Sequence, residues 1–303
     1  MKVLATRRYP GPAFDELSDV EVVPLASIVE TRPEVEGLIV ANEPVPLELL
    51  PSLRIVANFG VGYDRIDVAA CAARGVVVTN TPGVLDSAVA DLTFALILAV
   101  RRRLVEGDRL VRSGAWHGSY ADAFLGRELT GSTIGIVGLG RIGAAVARRA
   151  RGFELRVLYT RRRRVETDLG EYRELDDLLR ESDLATLHVP RTPETEGVID
   201  ARRLSLLRDG ATLVNTARGE IVDEDALVRE LVSGRISAGL DVFAHEPDVP
   251  RELFGLDNVV LTPHIGSATV QTREAMTRIV VDNVSAFERG ERLLTPVRAT
   301  SGV

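Results

Sequence analysis

The chain has 303 residues, 45% of them hydrophobic and 27% charged, with a formal net charge of −7. That is enough apolar material for one large core or two ordinary ones, and the acidic balance argues against nucleic acid as a bulk partner. Cys71 is the sole cysteine, so an internal disulfide is excluded and a reducing, cytoplasmic setting is expected.

In chain order, Met1-Lys2-Val3-Leu4-Ala5-Thr6 reads as a first strand and lacks the long apolar region of a signal peptide. Short apolar runs predict strands at Val3–Thr6, Glu21–Pro24, Gly37–Val40, Ile55–Asn58 and Val76–Asn80, alternating with helical stretches in a small parallel α/β domain. Thr81-Pro82-Gly83 breaks the chain. One long helix is predicted from about Ser87 to Arg112. Its Leu92–Val100 segment is apolar almost all round, which marks a buried helix, and is too short to span a bilayer. A second alternating series predicts strands at Thr133–Val137, Leu155–Tyr159, Leu184–His188, Ala211–Asn215, Ala238–Asp241 and Val259–Thr262. Helices are expected at Ile142–Arg151, Leu175–Glu181 and Glu224–Ser233, giving a doubly wound sheet with right-handed crossovers. A last helix, Val270–Arg289, leads back to the first domain.

Gly138, Gly140 and Gly143 form a G-x-G-x-x-G pattern that follows an apolar strand and opens a helix, the context in which the pattern carries weight. The first glycine allows a tight turn, the second lets backbone approach a pyrophosphate, and the third lets helix and strand pack closely. Leu139, Arg141 and Ile142 complete the loop, whose helix N-terminus offers amide donors. An NAD site places an acid roughly 20 residues on, to hold the ribose hydroxyls. Here the sequence reads Tyr159-Thr160-Arg161-Arg162, with no acid before Glu166. Thr160, Arg161 and Arg162 suit a 2′-phosphate, so NADP is the expected cofactor, with NAD the alternative.

Three further residues fit the reduction of a 2-oxo acid. Arg218 follows a strand-like run in a Gly-flanked turn, where a guanidinium can fork onto carboxylate and ketone oxygens. His264, just past the last strand, is a candidate acid titrating near neutrality, and Glu246 is its candidate partner. In Asn58-Phe59-Gly60-Val61-Gly62-Tyr63 two glycines at a strand end form a bare concavity whose N–H groups can take a carboxylate. His188 ends a strand and is read as either structural or supporting; His117 and His245 are read as surface residues. No metal site is expected.

Together these residues resemble the D-isomer-specific 2-hydroxyacid dehydrogenase family over nearly the whole chain. The most similar group within it is the glyoxylate/hydroxypyruvate reductases. The segments that carry the likeness are Val61-Gly62-Tyr63-Asp64, Val78 through Leu85, Gly107 through Gly114, and Pro263-His264-Ile265-Gly266-Ser267-Ala268-Thr269. The resemblance implies an α/β fold of two domains, with a Rossmann doubly wound parallel sheet (87–266) inserted into a flavodoxin-like substrate domain (1–86 and 267–303). It implies Arg218, Glu246 and His264 as the catalytic residues, carboxylate binding by Val61 and Gly62, and a nicotinamide lined by Thr216, Ala217, Asp241, His264 and Gly266. It also implies a homodimer packed through the coenzyme domain. An aromatic residue that such reductases carry before the glycine loop is replaced here by Ala123, with Phe124 beside it. Two other readings stay open on sequence: an NADH-linked dehydrogenase of another D-2-hydroxy acid or 2-ketogluconate, and a cofactor-sensing corepressor on the same fold.

Overall fold

The computed structural model describes residues 1–118 and 124–300. The chain divides into two compact units, Met1–Leu85 with Ser267–Val303, and Asp86–Gly266.

The first unit is built on five parallel strands: β1 (Val3–Ala5), β2 (Val20–Val22), β3 (Gly37–Val40), β4 (Ile55–Asn58) and β5 (Val77–Thr79), in the order β2-β1-β3-β4-β5. This is the flavodoxin-like order. Leu4, Leu38, Val40, Val56 and Val78 share one buried cluster, and β1, β3, β4 and β5 are buried at every residue, as expected of a parallel sheet covered on both faces. Only one connection between these strands is a full α-helix, α1 (Val68–Ala73), capped by the Asp67 carboxylate on Ala70 N–H. The helical stretches expected elsewhere are single 3₁₀ turns at Pro12–Glu16, Leu25–Ser27 and Leu47–Leu49. Proline opens or immediately precedes each of them, and these segments are too short to nucleate an α-helix. The long helix Val270–Glu288 belongs to this unit and carries buried Met276, Val280, Val281 and Val284.

The second unit starts with α2 (Asp86–Arg101) and α3 (Leu104–Arg112). The single helix expected over Ser87–Arg112 is therefore two. Its break has a tertiary cause that periodicity cannot see. In a continuous helix the Arg101 carbonyl would accept from four residues on; here it accepts from Arg127 N–H at 2.7 Å. The buried Arg101 guanidinium donates to Glu128 O at 2.7 Å, and Arg103 takes up a left-handed φ of 51°. The returning chain thus replaces the helix's own hydrogen bond.

Seven parallel strands follow: β6 (Thr133–Val137), β7 (Arg156–Thr160), β8 (Glu171–Tyr172), β9 (Leu184–Leu187), β10 (Thr212–Asn215), β11 (Ser237–Leu240) and β12 (Val259–Leu261), interleaved with α4 (Arg141–Gly152), α5 (Leu175–Glu181), α6 (Ala201–Leu204) and α7 (Glu224–Val232). Their order is β12-β11-β10-β9-β6-β7-β8. The strand sequence reverses between β6 and β9, the topological switch point at which a Rossmann sheet presents its ligand crevice. Alternate residues feed two cores: Ile134, Ile136 and Tyr159 join Phe94 and Ile97 of α2, whereas Val137 and Leu158 join Leu187, Leu213 and Leu240. Among the described residues no helix is long and apolar enough to cross a membrane.

Candidate active site

The glycine loop lies at the C-terminal end of β6, on the switch point. Gly138 has φ 101°, a left-handed conformation that a side chain resists, and its N–H donates to Thr160 O at 3.0 Å. A Cβ on Gly138 would lie 2.7 Å from His188 O, and one on Gly143 would lie 2.2 Å from Gly138 O. These two glycines let three backbone segments meet. Gly140 differs: nothing lies within 4 Å of where its Cβ would stand. It is the N-cap of α4, and no side chain caps the helix there. Leu139 is buried in the core, Ile142 is half-buried, and Arg141 is exposed with an ion pair to Asp86 at 3.4 Å. The loop therefore offers backbone amides and open space, which is what a dinucleotide pyrophosphate needs. Thr160 closes β7, half-buried, with Arg161 and Arg162 exposed beyond it; Arg164 lies over the Tyr172 ring, 5.6 Å from its centre.

A second group gathers at the ends of β10, β11 and β12. Arg218 leaves β10 through a turn braced by Asn215, whose Nδ2 donates to Arg218 O (2.8 Å) and whose Oδ1 accepts from Ala217 N–H (3.0 Å). The Arg218 guanidinium donates to Ala217 O at 2.7 Å. Beside it, a Cβ on Gly219 would stand 1.9 Å from the Phe243 carbonyl carbon, so the Arg218 turn and the segment after β11 are in direct backbone contact. That segment carries Glu246, whose Oε1 accepts from Phe243 N–H at 3.2 Å. Its Oε2 lies 2.8 Å from His264 Nδ1. Burial pushes the Glu246 carboxyl up, but the His264 hydrogen bond and charge, the Phe243 N–H and the Arg218 guanidinium outweigh it and hold the group below its ordinary value. An ionised carboxylate only accepts, so Nδ1 carries the hydrogen of this bond and Nε2 is the ring nitrogen left for chemistry.

His264 has φ 52°, an uncommon conformation for a residue with a side chain, and Asp241 holds the turn around it. Asp241 is fully buried. Its Oδ1 accepts from Thr262 Oγ1 (2.6 Å) and Ile265 N–H (2.8 Å), and its Oδ2 from Gly266 N–H (2.8 Å). Burial raises the Asp241 carboxyl, and these donors oppose the rise. The carboxylate is thus committed to the His264 turn, a role that strand periodicity does not signal. Thr216 Oγ1 lies 3.2 Å from Thr93 Oγ1 of α2, next to Ala217.

His188 follows β9 with its Nε2 shut from solvent and without a partner among the described residues; burial lowers it to about 4, so it stays neutral. His117 and His245 are exposed. Phe124 lies under the Arg103 guanidinium, 4.5 Å from it, whereas Ala123 lies outside the described residues. Val61 and Gly62, half-buried, follow β4 in the first unit. Among the described residues no group of three or more His, Cys, Asp or Glu could hold a metal ion.

Comparison with known proteins places this geometry in a family. Residues 94–266 match the D-isomer specific 2-hydroxyacid dehydrogenase NAD binding domain. The glyoxylate reductase of Pyrococcus furiosus is 50% identical over 315 residues, covering 96% of this chain and 93% of that protein. The hydroxyphenylpyruvate reductase of Plectranthus scutellarioides is 47% identical over 253 residues, covering 83% and 80%. Among solved structures, an NADPH-dependent glyoxylate/hydroxypyruvate reductase from Sinorhizobium meliloti, in complex with NADP and malonate, superposes with a TM-score of 0.90 at 38% identity, covering 99% of this chain and 97% of that one. With its glycine loop on the switch point of a parallel sheet and an Arg, Glu and His gathered at the strand ends, this chain belongs to the D-isomer specific 2-hydroxyacid dehydrogenases, a family of NAD(P)-dependent oxidoreductases.

Proposed function

We propose that this protein reduces a small 2-oxo acid, glyoxylate or hydroxypyruvate, to the 2-hydroxy acid with NADPH as the preferred reductant. The observation that carries the reading is the His264–Glu246 pair, 2.8 Å apart beside the Arg218 turn. It is supported by relatives named as glyoxylate reductases at about half identity over most of the chain.

The α4 N-terminus with Gly138, Gly140 and Gly143 holds the cofactor pyrophosphate, and Thr160, Arg161 and Arg162 take the 2′-phosphate. NADPH supplies the hydride when bound. Arg218 forks onto the carboxylate and the ketone oxygen, orienting the carbonyl. Within the first unit, the N–H groups of Val61 and Gly62 are donors suited to a carboxylate. His264 gives the proton on Nε2 to the ketone oxygen as negative charge grows there, and Glu246 fixes the imidazole through Nδ1 and balances its charge. Asp241 keeps the His264 turn in place from below. The cofactor-binding unit also carries a surface suited to a second copy. No residue of α3 is buried, and Leu104, Val111, Trp116 and Leu125 are exposed. A homodimer through this unit is the assembly we assign, checked by sedimentation.

The test is a panel of 2-oxo acids differing at C3, each assayed with NADPH and NADH, in wild type and Arg161→Ala. Glyoxylate and hydroxypyruvate should lead the panel, and NADPH should be favoured in wild type. Charge-assisted hydrogen bonds contribute about 1.5–3 kcal/mol each, so Arg161→Ala should cut the NADPH/NADH ratio of kcat/KM by roughly ten- to a hundredfold. A wild type that prefers NADH, or an unmoved ratio, overturns the NADPH assignment; a preference for a bulky 2-oxo acid overturns the substrate.

A further inference from the structure

The turn Gly60-Val61-Gly62 is shaped by asparagines that no motif singled out. Asn58, fully buried at the end of β4, donates through Nδ2 to Gly60 O (3.1 Å) and Gly62 O (2.8 Å). Gly60 O also accepts from Thr81 N–H at 3.0 Å. Asn80, just past the neighbouring β5, donates through Nδ2 to Val61 O at 2.9 Å. Three consecutive carbonyls are therefore engaged from the strand ends. In a trans peptide the C=O and the following N–H point in opposite directions. Fixing Gly60 O and Val61 O on these donors turns Val61 N–H and Gly62 N–H away from them. Among the described residues neither N–H donates to a protein acceptor, although both residues are half-buried. Backbone donors left in this way form an anion-binding concavity.

Asn80 is itself fixed from behind. Its carbonyl accepts from Thr295 Oγ1 at 2.6 Å, and Thr295 Oγ1 lies 3.0 Å from Nδ2 of fully buried Asn283. Asn283 Oδ1 in turn accepts from Leu294 N–H (3.0 Å) and Thr295 N–H (3.2 Å). The long C-terminal helix thus reaches the Val61 peptide through Asn283, Thr295 and Asn80. Asn58 is braced likewise: its Oδ1 accepts from Asn42 N–H at 2.7 Å. A turn that only needed to reverse the chain would not require two side-chain amides and a buried relay to orient two peptides whose N–H groups remain unused.

We infer that Asn58 and Asn80 are positioning residues for substrate binding, which aim the Val61 and Gly62 N–H groups at the carboxylate by holding the carbonyls of the same peptides. This rests on the reading of Val61 and Gly62 as carboxylate donors given above. Asn58 is too buried to change without risk to folding, so Asn80 carries the test. Asn80→Ala removes one donor and keeps the backbone bond to Thr295. KM for the 2-oxo acid should rise about ten- to a hundredfold, the loss of one charge-assisted bond. Saturating kcat, KM for NADPH and the melting temperature should stay near wild type, the pattern of lost uniform binding. Asn80→Asp, nearly isosteric, places an acceptor against Val61 O and should be worse than alanine; it also serves if the alanine variant does not fold. The separating readout is the kcat/KM preference for the 2-oxo acid over its neutral amide. The inference predicts a strong preference in wild type that falls at least tenfold in the Asn80 variants. A strong wild-type preference retained in both variants overturns the positioning role and leaves the carboxylate reading intact. No preference in wild type overturns the carboxylate reading and the inference with it.

Discussion

Gly140 offers a perturbation in which folding and cofactor binding should separate. Its φ of −88° and ψ of −158° are extended backbone, not the left-handed region that favours glycine, and beyond the adjoining residues no atom lies within 4 Å of the new methyl. Gly→Ala at a compatible site stabilises by about 0.4–1 kcal/mol through the unfolded chain. Gly140 is also the N-cap of α4, where glycine is better than alanine by a comparable amount, about 0.5–1 kcal/mol. The two effects nearly cancel, and in a domain of this size 1 kcal/mol moves Tm by about 2–4 °C, so Gly140→Ala should melt within about 3 °C of wild type. The methyl nevertheless occupies the space over the α4 N-terminus that the pyrophosphate reading requires. Forcing the phosphates back weakens hydrogen bonds to charge of about 1.5–3 kcal/mol each, so Kd for NADPH should rise ten- to a hundredfold. Fluorescence titration of NADPH and differential scanning calorimetry measure the two quantities on one sample. Unchanged Kd at unchanged Tm would show that the pyrophosphate does not lie against Gly140.

Three other outcomes follow from the geometry. Gly219→Ala places a methyl 1.9 Å from the Phe243 carbonyl carbon, so the Arg218 turn or the Glu246 segment must shift by about an ångström; kcat should fall on the order of a hundredfold, and steady-state kinetics with activity within threefold of wild type would contradict the contact. Glu246→Gln removes the negative charge 2.8 Å from His264 Nδ1, so the falling limb of the reductive pH–rate profile should arrive at lower pH; superimposable profiles would mean that the pair is not coupled in turnover. His188 lies at about 4 in the folded chain against an ordinary 6.5, so the unfolded chain binds a proton across that window that the folded chain refuses. Stability is therefore lost as pH falls from about 6.5 towards 4, by on the order of 2–3 kcal/mol between pH 7 and 4.5. Urea unfolding of His188→Gln at the two pH values should lose correspondingly less, and an equal loss in both proteins would rule out a neutral His188 with its Nε2 shut from solvent.

Most strands were readable because they are short β-branched or aliphatic runs, many of them bounded by glycine, proline or asparagine, and the ends of the expected strands fall within a residue or two of the observed ones. The same alternation placed Gly138 and His264 just past strand ends. Periodicity reports only which face is apolar, and the misses follow from that. The α2–α3 break depends on Arg127 taking the Arg101 carbonyl from a distant part of the chain. The two-residue β8 is too short to carry a period. The pairing of Glu246 with His264 could be expected from two ionisable residues at neighbouring strand ends. The left-handed φ of His264, the three donors on Asp241 and the asparagine braces around Val61 could not, because single polar residues in turns carry no periodic signal. Local sequence describes the elements, whereas the orientation of the reacting groups is set by contacts between turns.

The central claim is that His264 delivers the proton in the reduction of a 2-oxo acid, and it is tested most directly by kcat/KM for glyoxylate with NADPH in wild type and His264→Ala, with NADPH binding measured on the same preparations. General acid catalysis contributes about 10²–10⁴-fold, so kcat/KM should fall by that factor while Kd for NADPH stays within about twofold. A fall of less than threefold with the cofactor bound normally would contradict the assignment.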